Sequence, residues 1–146
     1  MKIQFVCLLL LLLSANVLSQ NAKIKSRYQK FQNQHIIKKM NATNCDDVMQ
    51  TRNISKGNTN KCKETNTFII GNIKPVKSIC EGKGEPWRNQ MTKSLKRFDI
   101  VVCKLKKQKA RPARCLYRGK ELNMKIIIKC EKGFPVHYDR DIEYLF

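Results

Sequence analysis

The feature that most limits what this chain can fold into is a frame of cysteines behind an apolar leader. The chain opens MKIQFVCLLLLLLSANVLSQ. Lys2 supplies a positive start, Phe5 to Leu13 an apolar stretch, and Val17-Leu18-Ser19 a small-residue cleavage site. That is the pattern of a secretory signal peptide. It is too short for a transmembrane helix, which takes roughly 20 apolar residues, and no later stretch approaches that length. Cleavage is expected after Ser19, giving residues 1–19 as leader and residues 20–146 as one secreted domain. Cys7 leaves with the leader. Cys45, Cys62, Cys80, Cys103, Cys115 and Cys130 remain. An even set in a secreted chain predicts three disulfides. None are spaced as in a zinc finger or ribbon, so no metal site is expected. The six allow fifteen pairings, and spacing alone selects none of them. Each bridge contributes about 2–4 kcal/mol.

Charge is the second constraint. The chain carries a formal +19, and loss of Lys2 with the leader leaves +18. Solubility needs far less. A field this strong predicts affinity for polyanions: nucleic acid, heparan sulfate, anionic bacterial surfaces. The segment KLKKQKARPARC gathers Lys104, Lys106, Lys107, Lys109, Arg111 and Arg114, and Lys96 with Arg97 adds to it. It reads either as a solvated charged hairpin or as an extended phosphate track.

Periodicity outlines the elements. AKIKSRYQKFQNQHIIKKM reads as an amphipathic helix with Ile24, Tyr28, Phe31 and His35 on one face. A second helix is expected near Asn44, with Asp46 and Asp47 in its first turn, favoured by the helix dipole. KPVKSICEG reads as a short third helix with Pro75 in its first turn. From there β signals dominate: FDIVVCKL, RCLYRGKELN, MKIIIKC and FPVHYDRDIEYLF, after an earlier strand that starts in CKETNTFII. Helices first and strands after predict an α+β fold with three short helices on a bent antiparallel sheet. Two glycosylation sequons begin at Asn41 and Asn53.

The chain has two histidines, His35 and His137. Singly, each is also what a core histidine with satisfied nitrogens looks like. Together with Lys63 they suggest more. Two imidazoles serve as general base and general acid near neutral pH. A lysine between them stabilises negative charge that develops in the transition state. Cleavage of RNA by its own 2′-hydroxyl needs that set, with no metal and no cofactor, and the positive field concentrates such a substrate.

The segments KFQNQH (Lys30 to His35), CKETNTF (Cys62 to Phe68) and PVHYD (Pro135 to Asp139) resemble the three signature segments of the pancreatic-type ribonuclease family. The cysteines fall in the family's order, with the three-bridge pattern of its angiogenin-like members. The resemblance implies the pairs Cys45–Cys103, Cys62–Cys115 and Cys80–Cys130. It implies His35 as general base, His137 as general acid and Lys63 as the transition-state lysine. Gln34 would contact the reacting phosphate, Thr67 would read a pyrimidine and Asn66 would support the site. Asp139 would orient the acid histidine. Tyr138 stands where the family has Phe or Leu; its backbone N–H can still meet substrate, but its hydroxyl needs a partner if buried. Lys30 would flank a phosphate. The implied protein is a monomer acting on RNA, with a cell-surface receptor or a ribonuclease inhibitor as further partners. Angiogenic and antibacterial roles are implied beside it. The alternative is a cationic host-defence or receptor-binding protein in which catalysis is incidental.

Two departures from the family stand out. Val102 replaces an aspartate that supports the pyrimidine-reading threonine. The tail from Arg140 to Phe146 is long and apolar at Ile142, Tyr144, Leu145 and Phe146, and is expected to cover part of the base pocket.

Overall fold

A computed structural model describes residues 2–57, 59, 61–106 and 115–141 of the chain. The first helix, α1 (Lys2–His35), runs without a break through the expected cleavage point. Leu8 to Leu13 of this helix are each more than half exposed. Over Val6–His35 this is one helix long and apolar enough to cross a membrane. Packing begins at the face the periodicity marks. Ile24 and Tyr28 are half-buried, and Phe31 and His35 are buried. Tyr28 also meets the Phe134 ring at 5.0 Å.

The helix stops five residues short of the segment that the sequence assigns to it. Ile36–Ile37 instead forms strand β1, pairing in parallel with Ile69 and Ile70 of β2 (Thr65–Ile70). Gly71 N–H also donates to the Ile37 carbonyl at 2.8 Å. β-Branched residues are indifferent helix formers, and an open strand edge wins them.

The second helix, α2 (Cys45–Thr51), carries Asp46 and Asp47 in its first turn. It closes when Asn53 N–H bonds the Gln50 carbonyl and Ile54 N–H the Met49 carbonyl. That is a Schellman closure, with Asn53 at φ 54° in the left-handed conformation asparagine tolerates. The third helix, α3, spans Ile73–Ile79.

The remaining strands are β3 (Gly84–Trp87), β4 (Met91–Ser94), β5 (Phe98–Leu105), β6 (Tyr117–Met124), β7 (Ile126–Glu131) and β8 (Phe134–Asp141). They form two four-stranded sheets, ordered β1-β2-β5-β6 and β3-β4-β7-β8. All pairs but β1/β2 are antiparallel. The β3–β4 hairpin has no counterpart in the sequence reading. Pro86 sits in β3, which a sheet tolerates because β3 is an edge strand.

The middle of strand β5, Ile100 to Cys103, reads as an unbroken apolar run because both of its faces are covered there. Ile100 and Val102 join a core with Phe31, Ile69, Val76, Met124 and Ile128. Val101 and Cys103 face the other way, toward Val48, Met49, Phe68 and Tyr117. The disulfides pin the helices to these layers. Cys45–Cys103 joins α2 to β5, and Cys80–Cys130 joins the end of α3 to β7. Cys62–Cys115 joins the approaches to β2 and β6. These are the pairs that the family resemblance implies. Gly119 of β6 lets the layers close, since a Cβ there would lie 2.1 Å from the Ala42 carbonyl oxygen.

Candidate active site

Helical spacing puts Arg27, Phe31, Gln34 and His35 along one side of α1, and β8 brings Val136 and His137 against it. With Lys30 these residues line a cleft of about 250 Å³. Strand β2 runs alongside, and its buried Asn66 and Thr67 hold the site together.

The His35 ring has a fixed role. Its Nδ1 lies 2.8 Å from the Thr67 carbonyl oxygen. A carbonyl only accepts, so Nδ1 carries the proton and Nε2 keeps the lone pair. The ring sits between Phe31 and Tyr138, each at 5.2 Å between centroids, with Tyr138 stacked at 27°. Burial pulls its pKa from 6.5 to about 3; the Thr67 bond opposes this, and the charges of Lys63 and His137 add to it. Burial thus favours the neutral imidazole, with Nε2 left to accept a proton.

Lys63 is held from two directions. Its Nζ donates to Asn66 Oδ1 at 2.8 Å, and Asn66 Nδ2 donates to the Gln34 carbonyl at 2.8 Å. The Tyr117 hydroxyl donates to the Lys63 carbonyl at 2.7 Å, and Tyr117 N–H donates to Asp46 Oδ1 at 2.6 Å. The ammonium is thereby tied to the helix that carries His35. Partial burial lowers its pKa, and Lys30 adds repulsion.

Two imidazoles at one cleft, with an ammonium whose charge acts on both, suit a phosphodiester. The family model described as Pancreatic ribonuclease matches residues 26–139. The chain belongs to the pancreatic ribonuclease family. It is 37% identical to Ribonuclease-like 3 of Danio rerio over 94% of this chain and 93% of that protein. It is 36% identical to the angiogenin of Mus musculus over 81% of this chain and 80% of that one. The X-ray structure of zebrafish RNase5 superposes with a TM-score of 0.76 at 41% identity, covering 81% of this chain and 96% of that one.

In this ribonuclease His137 is exposed at the cleft. Partial desolvation lowers its pKa below 6.5; Asp139 opposes this, and Lys63, Lys129 and Arg27 reinforce it. Thr67 is paired across the sheet with Val102, which is fully buried and offers no hydrogen bond. Lys30, the expected phosphate contact, is exposed on the cleft wall.

Tyr138 packs against the main core as well as against His35. Its hydroxyl is buried and has no hydrogen-bond partner among the described residues. A buried unpaired hydroxyl costs about 1–3 kcal/mol. Tyr138→Phe should therefore raise stability by about 1 kcal/mol, read as a higher melting temperature. A lower melting temperature would show that the hydroxyl is paired in solution.

Among the sequons, Asn41 is exposed but its side chain caps the 3₁₀ turn Ala42–Asn44, whereas Asn53 is exposed beyond α2. Residues 107–114 of the basic segment and 142–146 of the tail lie outside the described residues. The sequence reading passed over Arg27, Lys129, Glu131 and Tyr117. Arg27 was recoverable, since it lies on the same helical side as Phe31 and His35.

A larger groove, about 1090 Å³, lies on the other side of α1. Lys38, Lys39, Arg52 and Lys74 line it, with no histidine or carboxylate. It lacks the groups for acid–base chemistry.

Proposed function

We propose that this ribonuclease cleaves RNA on the 3′ side of pyrimidines by transphosphorylation through a 2′,3′-cyclic phosphate. His35 Nε2 takes the 2′-hydroxyl proton, and the freed oxygen attacks the adjacent phosphorus. His137, protonated, gives its proton to the departing 5′-oxygen, and Asp139 holds the imidazolium. Lys63 and Gln34 stabilise charge on the phosphoryl oxygens. Water then opens the cyclic phosphate with the two histidines in reversed roles. Thr67 reads the base with no polar support from Val102, so pyrimidine discrimination is modest. The observation that carries this reading is the His35–Thr67 bond, which occupies Nδ1 and leaves Nε2 of the neutral ring to accept a proton. The apolar N-terminal stretch and three disulfides support cleavage after Ser19 and an extracellular location.

The test is product analysis and a pH profile on pyrimidine dinucleotides. The base must be neutral and the acid protonated, and both pKa values lie below 6.5. The kcat/KM profile should be a bell whose two limbs both lie below 6.5. Bound phosphate raises both imidazoles, so the kcat profile should move to higher pH. Absence of the cyclic product would overturn the mechanism.

One observation favours a second reading. The larger groove offers four cations and no carboxylate to a polyanion, which suits a sulfated glycan or a bacterial surface. On that reading host defence or receptor binding comes from charge alone.

A further inference from the structure

Strand register sets what surrounds the Thr67 side chain. Thr67 of β2 stands opposite Val102 of β5, and Val102 stands opposite Lys120 of β6. Directly opposed residues leave the same face of a sheet, so the three form one row. On one side of it lie Ile69, Ile100 and Leu122, packed in or against the main core. On the other side lie Thr65, Lys104 and Arg118. Thr67 therefore sits where an apolar core gives way to a cationic edge. Thr67 and Val102 are buried, and Lys120 is exposed.

A hydroxyl has one hydrogen to give and two lone pairs to offer. Val102 can answer neither, and lysine and arginine side chains only donate. The carboxylates of β5 and β6 leave the other face: Glu121 stands opposite Val101, and Asp99 opposite Asn123. The row thus holds no acceptor for the Thr67 hydroxyl hydrogen. Lys120 lies two strand spacings from Thr67, about 10 Å. A four-carbon stem folded over Val102 spans that gap to the hydroxyl oxygen. Its three donors allow this contact beside any other.

We propose that this donor-only row ranks the two pyrimidines, with cytidine preferred and Lys120 as the positioning residue. N3 of cytosine carries a lone pair and takes the Thr67 hydrogen. N3 of uracil carries a hydrogen. To meet it Thr67 must accept, and its own hydrogen is then left buried with no acceptor in the row, which is costly. Lys120 adds to the bias by donating to the oxygen that uracil needs. The ranking rests on Thr67 being the base reader, as in the proposed reaction.

The test is kcat/KM on two dinucleotides that differ only in cytidine or uridine at the cleaved position. Their phosphates are identical, so a change in surface charge cancels in the ratio. Wild type should favour cytidine about fivefold. Lys120→Arg should keep the ratio, since a guanidinium also only donates. Lys120→Glu puts an acceptor into the row and should lower the ratio about fivefold. Val102→Thr, similar in shape, should lower it by the same route. Thr67→Val keeps the carbonyl that holds His35 and should bring the two substrates level. Equal cleavage of both by wild type, or a ratio indifferent to Lys120→Glu, would overturn the ranking and leave pyrimidine cleavage standing. A cytidine preference that survives Thr67→Val would overturn Thr67 as the reader, and the ranking with it.

Discussion

His35→Ala should lower kcat on RNA by about ten-thousand-fold, measured on protein free of contaminating nuclease. The size follows from how completely the fold commits this ring. Its Nδ1 is occupied by the Thr67 carbonyl, and both faces are packed by Phe31 and Tyr138. The neighbouring cations Lys63 and Lys30 cannot accept a proton, so they offer no substitute base. His137→Ala should cost a similar factor. The double variant should cost little more than either alone, since in the proposed reaction base and acid act in one step. Stability gives a control, because alanine at 35 opens a hole beside Phe31 but relieves a buried polar ring. The same variant separates the two functional readings. Bacterial killing that survives His35→Ala unchanged belongs to the positive surface, and killing that falls with kcat belongs to RNA cleavage. Substantial turnover in both single variants would sink the mechanism.

The parts of the fold legible in the sequence are those set by local chemistry. The face through Ile24, Tyr28, Phe31 and His35 follows from helical period, and it is the face that packs. The first turn of α2 follows from Asp46 and Asp47, although the side chain of Asn44 before them makes no cap bond. What was not legible depends on partners distant in the chain. Ile36 and Ile37 leave the helix because β2 has a free edge, which nothing in their neighbourhood announces. The β3–β4 hairpin lacks apolar alternation and is fixed by pairing with β7. At the site, the motif residues could be named from resemblance. Lys129 could not, because its place opposite His137 depends on a register interrupted at Ile127/Ile128 and Lys129/Cys130. A one-residue slip there would turn the lysine to the other face.

Lys63→Ala should lower kcat by about two to three orders of magnitude, with KM changed much less. The ammonium is positioned in advance by Asn66, which is held in turn by the Gln34 carbonyl of α1. Preorganised charge is worth most when it need not move as the phosphorane forms. Asn66→Ala should therefore give a smaller loss in the same parameter, since the cation remains but its position does not. Lys63→Arg should recover little. A planar guanidinium cannot replace a point charge whose donor is directed at Asn66 Oδ1. The stability change should run the other way from activity. The fold lowers the Lys63 pKa, so it disfavours the charged form that prevails below the ordinary value of 10.5. That cost is present at neutral pH and fades as pH rises toward 10.5. Lys63→Ala should accordingly melt no lower than wild type at neutral pH. A variant with unchanged kcat and a lower melting temperature would show Lys63 to be a structural cation, with the charge at the phosphate supplied from elsewhere.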